Sequence, residues 1–461
     1  MTKPKLWGGV FSKPPDELAW KFGQSLVSDV TLIAEEFEVS SAHAEMLGAC
    51  GIIPLEDAKV LTEGLMSVWK GLQSGTVALP ENAEDLHGAI EELLVAEVGE
   101  TAKKLHAGRS RNDQIVTVTK LWLKRQCAAL EASVAKFQAA LLSLAEDHVD
   151  DPMPGYTHQQ PAQPVTIGFW LMAMFGMLER DKARIVSLRT SVDACPLGAA
   201  ALSGTSLPLD RKMTCKALGF AAPVPNALDA VSDRDFIGDA LHMCAQLMQH
   251  LSRMCQEIVL FSTSEFGYVH VDEAYSTGSS IMPQKRNPDI AELIRGRSGR
   301  VLGNWTAFMS TMKALPLGYN RDQQEDKPPL FDSLSLSKDS LALTQAMFET
   351  LTFDLGRMKV AAGKGFSTAT SVAEALVLSG VPFRTAHELV GKAVKTCVQL
   401  GFELHELPQS EFPEGAPPSF ASALKTASVE ASISGRSSEG GTSPNAVRAQ
   451  IAQARTLLKN P

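Results

Sequence analysis

Residues 277–289 read Thr-Gly-Ser-Ser-Ile-Met-Pro-Gln-Lys-Arg-Asn-Pro-Asp, a Gly/Ser loop running directly into a segment that starts at proline. Pro288 suits the first helical position, where its missing N–H is not needed, and Asn287 is a favoured N-cap just before it. The helix N-terminus, Lys285 and Arg286 then gather positive potential at one end of a mobile loop, a setting that suits a carboxylate ligand. Ser279 and Ser280 sit in that field, and a serine so placed is shifted toward its alkoxide and can act as a base. An ordinary surface loop with a well-made cap has the same residues, so the pattern by itself leaves both readings open.

Two more polar clusters precede long apolar segments. LHAGRSRNDQ at 105–114 places Arg109, Ser110, Arg111 and Asn112 just before a helical run, where arginines and N-terminal amides grip a planar carboxylate. GYTHQQPAQP at 155–164 sets His158 among hydrogen-bonding side chains at another expected helix entrance. A single histidine is more often structural than catalytic. Three polar entrances on long helices shift that balance toward a shared site.

The elements that must carry these clusters are helices. No Gly or Pro occurs between 113 and 151, a run that makes a helix of about 55–60 Å at ~1.5 Å per residue. Val116, Leu123, Leu130, Phe137 and Leu144 recur every seven residues, with Cys127, Val134 and Leu141 in a second row, so one apolar stripe persists along it. Similar segments are expected at about 165–192, 229–266, 289–314 and 334–353, and together they make a bundle. Shorter helices are expected at about 28–50, 55–74 and 85–98, and again after 365 around loops such as 411–419. The pattern divides the chain into a head at 1–108, a central long-helix bundle at 109–364 and a small helical tail at 365–461. Strand-like alternation is almost absent, so any β-structure should be minor and peripheral. The Ser/Gly-rich stretch 434–443 reads as a linker or an ordered loop before a last helix at about 444–458.

Bulk properties bound the function. The chain is 44% hydrophobic and 21% charged, which is the balance of a water-soluble globular protein. A net charge of -9 argues against nucleic acid as a partner. The apolar stretch 167–178 falls well short of the ~20 residues of a membrane span, so it reads as a core helix and no membrane partner is expected. Seven scattered cysteines without a C-x-x-C pair read as buried thiols in a reducing compartment, not as a metal or redox centre. The first twenty residues, broken by Pro and Gly, resemble neither signal nor transit peptide, and a cytoplasmic location is expected.

The three clusters together resemble the fumarase/aspartase superfamily and, within it, the argininosuccinate lyase/delta-crystallin family. PLGAAALSGTSLPLDR at 196–211, GVPFRTAH at 380–387 and GGTSP at 440–444 extend the resemblance over nearly the whole chain. AGRSRNDQ at 107–114 and Met-Pro-Gln-Lys at 282–285 are similar to the argininosuccinate branch, whereas fumarases and aspartases typically have Gly in place of Gln284. The resemblance implies a mainly α, three-domain fold and a homotetramer with a twenty-helix core, each active site shared between three subunits. It also implies reversible cleavage of argininosuccinate to arginine and fumarate, without metal or organic cofactor. Carried over position by position, it makes Ser279 the base and sets Lys285, Asn287 and the helix terminus to stabilise an aci-carboxylate intermediate. His158, paired with Glu292, becomes the acid or the group that orients a water. Binding falls to Ser25, Asp29, His87, Ser110, Arg111, Asn112, Thr157, Arg234, Tyr319, Gln324 and Lys327. Arg111, Asn112, Thr157 and Lys327 are expected on the succinyl carboxylates, and Ser25, Asp29, Tyr319 and Gln324 at the amino-acid end.

Two stretches depart from the family pattern: Glu36-Phe37-Glu38-Val39-Ser40, where an Asp-hydrophobic-x-Gly-Ser run is common, and Ala369-Thr370-Ser371, where Ala-Thr-Asp is common. They bear on helix packing and subunit contacts. Other readings are a sister lyase, such as an adenylosuccinate lyase or carboxymuconate cycloisomerase, an inactive crystallin-like structural homologue, or an anion-binding module. Gln284 and the run 110–114 count against the sister lyases, and the intact Ser279, His158 and Lys285 against loss of turnover.

Overall fold

The computed structural model describes residues 15–459, so most of the amino-terminal stretch read above for targeting lies outside the described residues. The fold is mainly helical. Its described residues form two compact units, one of residues 15–129, 185–244 and 301–335, the other of residues 130–184, 245–300 and 336–459. This division is of a different kind from head, bundle and tail, because it cuts through the long helices.

In the first unit, α1 (Ile33–Ala49) packs on α2 (Leu55–Ser74), and α2 on α3 (Leu86–Val98). Phe37 packs on Trp69 with ring centroids 5.2 Å apart. A Cβ on Gly64 would stand 2.5 Å from Val98 Cγ1, so glycine is what lets α2 and α3 approach. Asp85 caps α3, accepting from the Gly88 amide at 2.6 Å. The helix expected at 28–50 begins as a short helix, Leu26–Asp29, and a 3₁₀ turn, Val30–Leu32, before α1.

The helix α4 (Arg111–Asp147) runs 37 residues and starts two residues before the expected point, because Ser110 and Asp113 close a capping box. Ser110 Oγ accepts from the Asn112 amide at 3.2 Å and Asp113 Oδ1 from the Ser110 amide at 2.9 Å. The predicted stripe is buried at Val116, Leu123, Cys127, Leu130, Val134, Phe137 and Leu141, while Leu144 is half-buried. Among the described residues α4 is the one helix long and apolar enough to cross a membrane by length and composition, a property the sequence reading did not assign to it. Its apolar rows are those of a packed core helix.

Four more long helices follow: α5 (Ile167–Ser191), α6 (Asp235–Phe261), α7 (Asp289–Met312) and α8 (Lys327–Thr350). The start of α8 precedes the expected 334, since Pro328 and Pro329 fall in the first turn, where no amide donor is required. The segment expected at 229–266 splits into Ala227–Ser232 and α6, because Asp233 accepts from the Asp235 amide at 2.8 Å and caps a new helix.

In the second unit, β1 (Pro152–Thr157) and β2 (Gln160–Thr166) form an antiparallel hairpin between α4 and α5. Its prolines hid it from a pattern search, yet a two-stranded hairpin is all edge and tolerates them. A smaller pair, β3 (Thr277–Gly278) with β4 (Arg286–Asn287), closes the serine loop. The tail helices α9 (Ala369–Leu378) and α10 (Phe383–Leu400) enclose their own core of Val372, Leu376, Leu389, Val390 and Phe420. The 434–443 stretch is an ordered loop: Thr442 Oγ1 accepts from the Thr166 amide at 3.0 Å, and the Ser443 amide donates to Arg436 O at 3.1 Å. It leads into α11 (Pro444–Lys459). All seven cysteines are free, six of them buried and Cys50 only partly so.

Candidate active site

The serine loop is held at its base by β3 and β4, which pair Thr277 with Asn287 and Gly278 with Arg286. Across the neck, Thr277 bonds Asp289, and Asn287 Nδ2 reaches Thr277 Oγ1 at 3.5 Å. Asn287 is therefore not the cap. The cap position falls on Pro288, whose carbonyl takes the Glu292 amide at 3.1 Å. Inside the loop, Ser279 Oγ accepts from the amides of Ile281 at 3.3 Å and Met282 at 3.1 Å. Two donors on one hydroxyl oxygen favour its charged form, which is what a base needs. Lys285 is exposed and without an ion pair among the described residues, whereas Arg286 is tied to Glu273 at 2.9 Å.

His158 sits at the tip of the β1–β2 hairpin, not at a helix entrance. His158 (φ 53°) and Gln159 (φ 58°) both occupy the left-handed region, the geometry of a tight two-residue turn normally filled by Asn and Gly. Such backbone in non-glycine residues is strained and concentrates at functional sites. An aromatic group steadies the hairpin: Tyr156 Oη and Tyr268 Oη are 2.8 Å apart, and Tyr156 lies against Phe261 and Phe266. Burial pushes the Tyr156 phenol up, so this contact stays neutral. The expected His158–Glu292 pair is not formed within one chain. His158 and Thr157 are exposed at the turn, and Glu292, on the first turn of α7, lies 3.7 Å from Arg295 instead.

The remaining candidates belong to the first unit, in two groups. In one, Ser25 Oγ donates to Asp29 Oδ2 at 2.5 Å, and Lys327 lies 3.8 Å from Asp29 and 3.4 Å from Asp326. Arg234 Nε donates to Asp326 Oδ2 at 2.6 Å, both side chains 2% exposed. Burial works against the Lys327 charge, but Asp326 and Asp29 together push its pKa up. Gln324 donates to Gly23 O at 3.2 Å, and the Tyr319 phenol is pushed up by burial. Asp29 Oδ1 is buried without a hydrogen-bond partner among the described residues, a spare acceptor beside a buried ammonium.

In the other group, Arg111 is braced by Asp85 at 3.2 Å, Glu91 at 3.5 Å and Gln114 Oε1 at 3.0 Å. Asn112 Nδ2 donates to Ala201 O at 3.0 Å, in the PLGAAALSGT stretch. Asp113 fixes that stretch, its Oδ2 accepting from the Gly198 and Ala200 amides at 2.9 and 2.8 Å. His87 is buried, its Nδ1 2.6 Å from Glu36 Oε2. The Glu36–Ser40 departure thus lies among candidate binding residues and concerns more than helix packing. Sequence reasoning missed Glu36, Gln114 and Asp326. Gln114 closes the 105–114 cluster and Asp326 adjoins Lys327, while Glu36 stood out only in the departure at 36–40, and none of the three had been given a role at the site.

A chain threaded by long helices, with a serine loop opening one and an arginine-bearing capping box opening another, is a lyase of the fumarase/aspartase type. Residues 9–303 match the family described as lyase, and residues 366–434 the one described as argininosuccinate lyase C-terminal. The chain is 45% identical over 99% of both sequences to argininosuccinate lyase of Pelotomaculum thermopropionicum, and 46% over 99% of both to that of Desulforudis audaxviator. It belongs to the argininosuccinate lyase family. Among solved structures, an EDDS lyase variant with bound fumarate is 27% identical with a TM-score of 0.84, over 96% of this chain and 89% of that one. A class II fumarase from Schistosoma mansoni shares the fold at a TM-score of 0.72 and 16% identity, over 85% of this chain and 88% of that one.

Proposed function

We propose that the chain cleaves argininosuccinate reversibly to arginine and fumarate. The observation that carries this is Ser279 Oγ under the Ile281 and Met282 amides, in the same loop as Lys285, which has no ion pair among the described residues. In this reading the Ser279 alkoxide takes the proton next to the carboxylate, and the electron pair moves into that carboxylate as an aci form. Lys285, Asn287 and the start of α7 stabilise the added charge. The pair then returns to form the fumarate double bond as the carbon–nitrogen bond breaks, and the leaving guanidino nitrogen receives a proton from His158 or from a water it orients. Full-length relatives of that name support the substrate. The side chains supply the chemistry, so the reading calls on no metal or organic cofactor.

The proposal includes a cytoplasmic homotetramer, organised as head, bundle and tail, with each site shared between subunits and serving arginine synthesis or a urea cycle. In support, α7 exposes Leu293, Leu302 and Met309 at half their surface or more, and Gly296, Gly299 and Gly303 leave open space where a Cβ would stand. His158 is exposed at its turn, and Glu292, held 3.7 Å from Arg295, is not joined to it within a chain, so in this reading the two meet across copies.

The test is absorbance of released fumarate when wild type and Ser279→Ala are mixed with argininosuccinate, with adenylosuccinate as control. Release from argininosuccinate alone, reduced about 10²–10⁴-fold in the variant, is expected. Release from adenylosuccinate instead moves the chain to the sister branch. A folded protein that releases none from either is a structural homologue.

A further inference from the structure

We infer that Glu36 is a positioning residue that aims two substrate-binding side chains, His87 and Arg111, through separate hydrogen-bonded arms, and this inference rests on the proposed lyase function. Glu36 lies in α1 and is 1% exposed. Its two oxygens divide the work. Oε2 is 2.6 Å from His87 Nδ1, so an ionised Glu36 keeps the proton on Nδ1 and sets the ring's orientation. His87 Nε2, the far end of the ring, is buried and has no hydrogen-bond partner among the described residues. Oε1 accepts from Gln114 Nε2 at 2.5 Å. The Gln114 amide is thereby oriented with its oxygen toward Arg111, whose Nη1 donates to it at 3.0 Å. A third contact closes the hub: Ser40 Oγ donates to Oε1 at 2.8 Å and accepts from Arg109 Nη1 at 3.0 Å.

Burial would push Glu36 up, but the His87 ring and the Arg109 guanidinium hold it below the usual carboxylate range, so it is the anion that both arms require. A network that served folding alone would close on itself, and apolar residues would replace it at little loss. This one runs outward. It ends at a histidine with a spare nitrogen and at an arginine that is 27% exposed at the start of α4. A misaimed arginine loses the bidentate geometry that a carboxylate demands.

The experiment compares wild type with Glu36→Gln, Gln114→Ala and the double variant, reading KM and kcat for argininosuccinate, fumarate affinity by calorimetry and the thermal midpoint. Glu36→Gln should raise KM and the fumarate Kd about tenfold or more while kcat falls less than about threefold, since ground-state and transition-state carboxylate contacts weaken together. Gln114→Ala should raise KM less, and the double variant should be no worse than about twofold beyond Glu36→Gln, because one arm is shared. If Glu36→Gln aggregates, Gln114→Ala reports the Arg111 arm in the folded protein: it should raise KM and the fumarate Kd, and an unchanged fumarate Kd overturns that arm. Unchanged fumarate affinity in Glu36→Gln, or fully additive effects in the double variant, overturns the inference. A wild type that binds fumarate yet does not split argininosuccinate overturns the substrate reading instead, and the fumarate affinities still decide the role of Glu36.

Discussion

Glu91 in α3 meets three cationic or protonatable groups: His106 Nδ1 at 3.0 Å, Arg111 at 3.5 Å and Arg109 at 3.7 Å. Burial would push its carboxyl up, but the His106 hydrogen bond and the two arginines hold it down, at about 2 against an ordinary 4.5. A carboxyl depressed in the folded state adds stability above its unfolded value, and that stability is lost as pH falls through the folded one. Between about pH 6 and pH 3, wild type should therefore lose roughly 1–2 kcal/mol more unfolding free energy than Glu91→Gln. Denaturant titrations at the two pH values measure it, and equal losses would show that Glu91 carries no acid-labile stability. Arg111 was legible in the sequence because it follows Gly108 in a polar entrance. Glu91 was not, since a carboxylate on an ordinary amphipathic helix acquires partners only when α3 packs near the start of α4.

At the scale of elements, the β1–β2 turn concentrates the question of strain. Each L-residue in the left-handed region stands roughly 1–2 kcal/mol above its right-handed alternative, and His158 and Gln159 are adjacent there. Glycine relieves that strain but adds freedom to the unfolded chain, worth about 0.4–1 kcal/mol. Gln159→Gly should therefore raise stability by about 0.5–1 kcal/mol, read as a higher thermal midpoint. A lower midpoint would mean that the Gln159 side chain has contacts that outweigh the turn. The hairpin escaped a search for alternating strands because Pro152, Pro154, Pro161 and Pro164 mask it, whereas α4 was plain from its heptad rows. Helix periodicity is local. Hairpin pairing depends on a turn of two residues whose dihedral angles their side chains do not announce.

For the molecule as a whole, the exposed arc on α7 carries the strongest expectation. Gly303 has open space at its Cβ within the chain, so Gly303→Leu should leave the helical content intact, gaining about 1 kcal/mol of helix propensity. If α7 meets another copy in the proposed tetramer, the variant should nonetheless shift sedimentation to smaller species, because a close helix approach has no room for leucine. A tetramer unchanged by that substitution would remove α7 from the interface. The sequence by itself determined the long helices, the polar entrances of α4 and α7 and the family, since heptad spacing, cap residues and loop composition are properties of neighbouring residues. Only the tertiary structure decided that Glu36 joins His87 to Gln114, that Asp326 lies between Arg234 and Lys327, and that His158 rides on a strained turn, away from Glu292 of its own chain. Those pairs lie tens of residues apart, except Asp326 and Lys327, and a hydrogen bond of under 3 Å between distant positions exists only after burial has packed their helices together.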